Sequence, residues 1–213
     1  MKLYYSPGAC SLAPRIVAEE LGIPLEFVKV DGTAKKTQDG ADFWKVNPKG
    51  YVPVLGLDDG QVLTEGPVIS QYLADRKPQA GLVPAAGTME RYRLQEMLGY
   101  INSELHKTYS PLFDKATPQE TRDNRLAYLK KRYAVIEQKL DGHDYLFGDR
   151  FTVADAYLVT VLNWTKPTGI DLNEWPAVLD YFRRMHKRES VARAFAEELA
   201  LYQEEQARAA AAA

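Results

Sequence analysis

The spacing of apolar and polar positions changes along the chain, and the change falls near residue 80. Up to that point apolar residues alternate or gather in short runs: Leu3, Tyr4 and Tyr5, then residues 25–30, 52–57 and 61–64. This predicts four short strands, the last two joined through Asp58-Asp59-Gly60 as an antiparallel hairpin. Between the first two strands Ala13, Ile16, Val17 and Leu21 recur at helical spacing and stop at Gly22, before Pro24. A strand–helix–strand unit of that length predicts parallel pairing. Residues 31–41 are polar and read as a loop, and residues 42–46 as a short helical piece. Glu65-Gly66-Pro67 opens a helix that runs through Ile69, Tyr72 and Leu73 to Asp75, with Pro67 in its first turn.

Residues 78–87 hold two prolines and two glycines among small residues, and no convincing strand follows. The pattern predicts one domain over 1–77, a linker over 78–87 and an all-helical domain over 88–206. A long helix from Thr88 to about Tyr109 has Leu94, Leu98, Ile101, Leu105 and Leu112 as its core stripe. Thr117-Pro118-Gln119-Glu120 reads as a capping box opening a helix that ends at Gly142, and Thr152-Val153-Ala154-Asp155 as a second box. The helix after the second box is apolar almost all round, which places it at the centre of a bundle and makes Asp155 a structural cap. Residues 176–187 and 191–206 read as further amphipathic helices. Residues 207–213 form a low-complexity tail.

With 213 residues, 46% of them hydrophobic, the chain has the composition of a globular protein with a sizeable core. A net charge of −2 and the lack of a basic, aromatic-laced stretch argue against nucleic acid as a partner. No apolar run approaches the roughly 20 residues that cross a bilayer, and no signal segment opens the chain, so a cytoplasmic protein is expected. Cys10 is the single cysteine, which excludes internal disulfides and a two-thiol redox motif. His106, His143 and His186 lie far apart in sequence without second ligands at metal spacing, so no metal site is expected.

Cys10 falls where the first strand gives way to the first helix. Unsatisfied N–H groups and the positive end of the helix dipole favour a thiolate there, while a small buried hydrophobe fits the same position. On the long helix Tyr92, Gln95, Gly99, Ser103, His106 and Ser110 share one line, away from the leucine stripe. His106 is therefore not expected in the core.

Five stretches in order carry a family resemblance: Met1-Lys-Leu-Tyr-Tyr-Ser-Pro-Gly-Ala-Cys-Ser11, Asn47-Pro-Lys-Gly-Tyr-Val-Pro-Val54, Leu63-Thr-Glu-Gly-Pro67, Ser103-Glu-Leu-His-Lys107 and Phe151-Thr-Val-Ala-Asp155. Together they resemble the bacterial beta-class glutathione S-transferases over essentially the whole chain. The resemblance implies the glutathione transferase fold, an α/β thioredoxin-like N-terminal domain followed by an all-α domain, and a homodimer. It implies a cis peptide before Pro53, so that the Val52 backbone pairs with glutathione like an added strand. It further implies Lys35 at the glycyl carboxylate, the Gly66 N–H at the γ-glutamyl carboxylate and Glu65 at the ammonium. Ser103, Glu104, Leu105 and His106 would line the glutathione site near Cys10, with His106 favouring the thiolate.

Among relatives Tyr5 and Ser11 compete with Cys10 for the sulfur-activating role. Many relatives carry asparagine where Gly99 stands, so that contact lacks a side chain; a mid-helix glycine reflects close packing or simple tolerance. Tyr109, Phe113 and Trp164 would form the electrophile pocket, although each also fits a core. The implied activity is conjugation of glutathione to small hydrophobic electrophiles, without a cofactor, in a detoxifying role. Cys10 would add thiol–disulfide exchange or peroxide reduction. A pathway-specific dehalogenase and a non-catalytic binding or interaction protein of the same fold are the alternatives.

Overall fold

Strand β1, Lys2–Tyr5, lies in the middle of the five-stranded sheet because both of its edges are used. It pairs in parallel with β2 (Glu26–Asp31), and in antiparallel with the strand that follows the second loop. The computed structural model describes residues 1–211; Ala212 and Ala213, the end of the expected tail, lie outside the described residues. The loop expected over 31–41 contains one more strand, β3 (Lys36–Thr37), paired antiparallel to β2. Its cause is local side-chain chemistry: Asp31 Oδ1 accepts from the amides of Thr33 and Ala34, each at 2.8 Å, and turns the chain back. The expected hairpin is present as β4 (Val54–Gly56) and β5 (Val62–Thr64), and the sheet order is β3-β2-β1-β4-β5.

Alternation in β1 sorts its side chains. Leu3 and Tyr5 are buried, while Tyr4 packs from the other face against Val30, Phe43 and Val54. Helix α1 (Leu12–Leu21) stops at Gly22, whose φ of 58° is left-handed, as the sequence predicts. It packs against α2 (Gly66–Asp75), which carries its proline in the first turn.

From α3 (Met89–Tyr100) the chain is helical. Thr88 caps α3 by accepting from the Arg91 amide. The single long helix expected from the apolar spacing instead has a π-helical segment, Ile101–His106, before it continues as α4 (Lys107–Phe113). Leu94, Leu98, Ile101, Leu105 and Leu112 are all buried along it, as their stripe predicts. Helix α5 (Gln119–Leu140) begins without the expected capping box, because Pro118 takes the cap position with extended backbone (ψ 145°) and no side chain caps the first turn. The second box does form. It opens α6 (Val153–Leu162), of which every residue is buried, as expected of a central helix. Three more helices follow: α7 (Thr165–Thr168), α8 (Pro176–Met185) and α9 (Glu189–Ala211).

Residue contacts divide the chain into two units, Met1–Ala80 with Arg188–Ala213, and Gly81–Lys187. Helix α9 belongs to the first of these because it packs on α1. There the Arg188 guanidinium meets the Glu20 carboxylate, and Ser190 Oγ donates to the same group at 2.5 Å.

Asp155 shows what capping costs at depth. Its carboxylate accepts from the Leu146 amide at 2.9 Å, the Thr152 amide at 2.8 Å, the Thr152 hydroxyl at 2.9 Å and the Tyr181 hydroxyl at 3.2 Å. Burial nevertheless pushes its pKa up to about 6, against those hydrogen bonds. It is the structural cap that the sequence indicates.

Candidate active site

In the first unit the loop from Ser6 to Cys10 is held from several directions. Ser11 Oγ accepts from the Ser6 amide and donates to the Ser6 carbonyl, both at 3.2 Å, which closes the loop on itself. Ser6 Oγ donates to the Val30 carbonyl at 2.7 Å. Gly8 has a φ of 74°, a conformation that favours glycine, and its amide donates to Glu198 Oε2 at 3.0 Å. Cys10 then stands half-buried immediately ahead of α1, with Sγ 3.4 Å from the Val52 carbonyl oxygen. A thiol makes that contact by donating, so ionisation of Cys10 would give it up.

Two of the three residues expected to compete for the sulfur-activating role have other duties. Ser11 is fully buried and its hydroxyl is spent on the loop. Tyr5 is a core aromatic, its ring 6.0 Å from Phe27 and 5.8 Å from the Arg15 guanidinium. Cys10 alone of the three is only half-buried.

The Val52–Pro53 bond is cis, as the resemblance implies. A Cβ placed on Gly66 would lie 3.6 Å from Pro53 Cγ and 3.9 Å from the Cys10 carbonyl oxygen. The start of α2, the proline turn and the cysteine loop therefore converge. At such a start the first amides lack helical acceptors and favour an anion. Glu65, just ahead, holds a positive φ of 71°, uncommon for a residue with a side chain. Lys49 Nζ donates to Glu65 Oε1 at 2.9 Å and to Thr64 Oγ1 at 3.0 Å. Lys49 lies within the Asn47-Pro-Lys-Gly motif, but nothing local in the sequence marks it as a partner of Glu65. Lys35 Nζ donates to the Gly50 carbonyl at 3.0 Å and stands 5.9 Å from the centre of the Tyr51 ring.

The second unit carries the remaining candidates. His106 is half-buried, with Nδ1 2.6 Å from the Tyr157 hydroxyl and its ring edge-on to Trp164 at 4.8 Å. Trp164 also meets Tyr109 at 5.7 Å and Phe113 at 5.6 Å, so the three expected pocket aromatics do gather, around the tryptophan. Their exposure differs: Phe113 is half exposed, whereas Tyr109 is buried and its hydroxyl shares a 2.6 Å hydrogen bond with that of Tyr133. Burial first, then the neighbouring Tyr133, pushes the Tyr109 hydroxyl far above its usual range.

Ser103 is exposed and donates back to the Gly99 carbonyl at 3.0 Å. Leu105 is a core side chain, and the Glu104 carboxylate is taken up by α5, 2.9 Å from Arg132 Nε and 2.5 Å from the Tyr128 hydroxyl. A Cβ on Gly99 meets nothing within 4 Å, so packing within the chain does not require glycine there. Among the described residues no group of three or more His, Cys, Asp or Glu could hold a metal ion, and no helix is long and apolar enough to cross a membrane.

A mixed sheet with a cis-proline turn facing a helix start, followed by a helical unit, defines the glutathione transferase class. Family models described as the N-terminal and C-terminal domains of glutathione S-transferase match residues 8–76 and 100–189. Glutathione S-transferase GstA of Escherichia coli O157:H7 is 43% identical over 191 residues, 90% of this chain and 95% of that protein. The chain belongs to the glutathione S-transferase family, and it is an enzyme that conjugates glutathione. Two solved structures narrow the likeness. The bacterial transferase BphK, solved as a ternary complex, is 48% identical with a TM-score of 0.91, covering 93% of this chain and 99% of that one. The beta-class transferase of Sphingomonas chungbukensis is 42% identical with a TM-score of 0.89, covering 93% and 98%.

Proposed function

We propose that Cys10, Val52, Pro53, Glu65, Gly66 and Lys35 bind glutathione, and that Ser103 and His106 serve as glutathione-binding residues, His106 also in catalysis, as the resemblance implies. The observation that carries this reading is the convergence of Gly66 on the Pro53 ring and the Cys10 carbonyl. Glutathione has two carboxylates, an ammonium and a thiol, and the first unit offers a matching set. The Gly66 amide at the start of α2 suits the γ-glutamyl carboxylate, Glu65 the ammonium and Lys35 the glycyl carboxylate. The Val52 backbone suits the peptide in the manner of an added strand. Binding there would compete with the Cys10 thiol for the Val52 carbonyl, which turns the sulfur toward the ligand. Catalysis then consists of stabilising the glutathione thiolate and holding it near an electrophile.

The physiological electrophiles are proposed to be small and hydrophobic, and the role detoxification by a cytoplasmic homodimer. A second activity, disulfide exchange with glutathione, is favoured by the half-buried, accessible position of Cys10, because a single cysteine takes its second sulfur from the ligand. Calorimetric titration with reduced glutathione tests the site. Binding that weakens at least tenfold in Glu65→Ala and Lys35→Ala supports it, and binding unchanged in both overturns it. Light scattering on the eluted protein tests the dimer.

A further inference from the structure

Lys49 joins the turn before Pro53 to the start of α2, 16 residues further along the first unit. Its Nζ donates to Glu65 Oε1 at 2.9 Å and to Thr64 Oγ1 at 3.0 Å. The turn that carries the lysine is itself fixed. Asn47, 3% exposed, accepts from the Lys49 amide through Oδ1 at 3.1 Å and donates from Nδ2 to the Tyr51 carbonyl at 2.8 Å. Gly50 closes the turn with a φ of 68°, in the left-handed region. A long side chain that starts from a held backbone has less freedom to lose when it meets its partner.

The partner is an unusual cap. Glu65 precedes α2 with φ 71° and ψ 112°, yet its side chain makes no capping hydrogen bond. An acidic group beside a helix start is drawn to the first amides and to the positive end of the dipole. Here the carboxylate is turned instead to Lys49. In the first turn of α2, Pro67 has no N–H and the Val68 amide donates to the Glu65 carbonyl at 3.0 Å. The Gly66 amide is then the donor left for an incoming carboxylate. The Glu65 side chain is 58% exposed, and a carboxylate has about four lone-pair sites, so one lysine contact leaves room on it for a second cation.

We propose that Lys49 is a positioning residue of the glutathione site, holding the Glu65 carboxylate outward for the γ-glutamyl ammonium and off the Gly66 amide, which takes the γ-glutamyl carboxylate. This rests on the reading of Glu65 and Gly66 given above. An amino-acid head carries both charges on one carbon, so its site must present an acceptor and a donor side by side without letting them satisfy each other. Lys49 keeps the two apart. Its own charge acts little on the head, because the ammonium repels it, the adjoining carboxylate attracts it, and both effects are weak at an exposed surface. The gain is one of orientation. Fixing one long side chain before the ligand arrives is worth about 2- to 12-fold in affinity.

Calorimetric titration of the full-length reduced protein with glutathione tests the proposal through a double-mutant cycle on Lys49 and Glu65. Lys49→Met is expected to raise the Kd about 3- to 10-fold when Glu65 is present. In the Glu65→Ala background the same substitution changes the Kd less than about twofold, because the lysine acts only through that carboxylate. With a chlorodinitrobenzene as electrophile, KM for glutathione rises in Lys49→Met while kcat at saturation holds within about twofold. Binding that is unchanged or tighter in Lys49→Met shows a bystander or a competitor and overturns the proposal. An equal loss in both backgrounds, or a fall in kcat with KM unchanged, overturns it as well. Glu65→Ala protein that binds glutathione like the wild type overturns instead the reading of Glu65 as the partner of the ammonium.

Discussion

The amide of Gly8 donates to Glu198 Oε2 at 3.0 Å, so the loop that presents Cys10 is held by a carboxylate 190 residues further along the chain. The side chains behind this contact are deeply buried. Glu198 Oε1 lies 3.7 Å from Arg15 Nη1, with the two side chains 2% and 3% exposed, and Arg15 also pairs with Glu197 and lies 4.4 Å from the centre of the Phe27 ring. Removing one partner of such a group leaves a charge or an amide without compensation. Glu198→Ala is expected to cost about 3–5 kcal/mol of stability, measured by urea denaturation. The loss of order should be greatest in the Cys10 loop, read as faster exchange of the Gly8 amide.

The same residue sets a pH dependence. Burial pushes Glu198 up to about 7 from 4.5, opposed by the Gly8 amide and by Arg15. Between those values the folded protein holds a proton that the unfolded chain has released. The Glu198 contribution is therefore complete below about pH 4.5, declines as pH rises toward 7 and is level above. Asp155, raised to about 6, acts in the same direction from about pH 4 to 6. Denaturation midpoints measured across that range should fall less steeply with rising pH in Glu198→Gln than in the wild type.

Asp155 itself accepts four hydrogen bonds from buried donors. Asp155→Ala strands those donors and should cost about 3–5 kcal/mol, a loss of folding rather than of chemistry. Activity per folded molecule, measured well below the lowered melting temperature, is expected to stay near wild type.

Gly99 is exposed, and a Cβ there meets nothing. Gly99→Ala should therefore stabilise α3 by about 0.5–1 kcal/mol through the lower backbone entropy of the unfolded chain. In calorimetry this corresponds to a rise in melting temperature of about 1–4 °C.

Replacing Cys10 separates the two proposed activities. Cys10→Ala should leave glutathione affinity within about threefold and reduce glutathione-dependent disulfide exchange on the order of a hundredfold. Equal loss of both would show that the sulfur has no special part in exchange.

The candidate site was legible where a motif is local. Ser6 to Ser11 and the opening of α2 are short stretches whose geometry follows from proline, glycine and helix-start chemistry, while the cis bond before Pro53 was implied only by the family resemblance. It was not legible where a partner comes from elsewhere in the chain. Lys49 on Glu65, Glu198 on Gly8, and Tyr157 on His106 leave no periodic signal, because a single polar contact imposes no spacing on its neighbours. The same holds for Glu104, which shares a motif with His106 yet pairs with Arg132 and Tyr128 of α5.

By itself the sequence determined the parallel β1–β2 pair, the hairpin, the leucine stripe of the long helix and the central place of α6. Each follows from the period of its apolar residues, which sets the face that leaves water. The tertiary structure alone decided that α9 packs on α1, that the long helix takes a π-helical segment before His106, and that the Thr117 box stays open. These outcomes depend on contacts distant in the chain or on register shifts of a single residue, and an apolar pattern averaged over several turns does not record them.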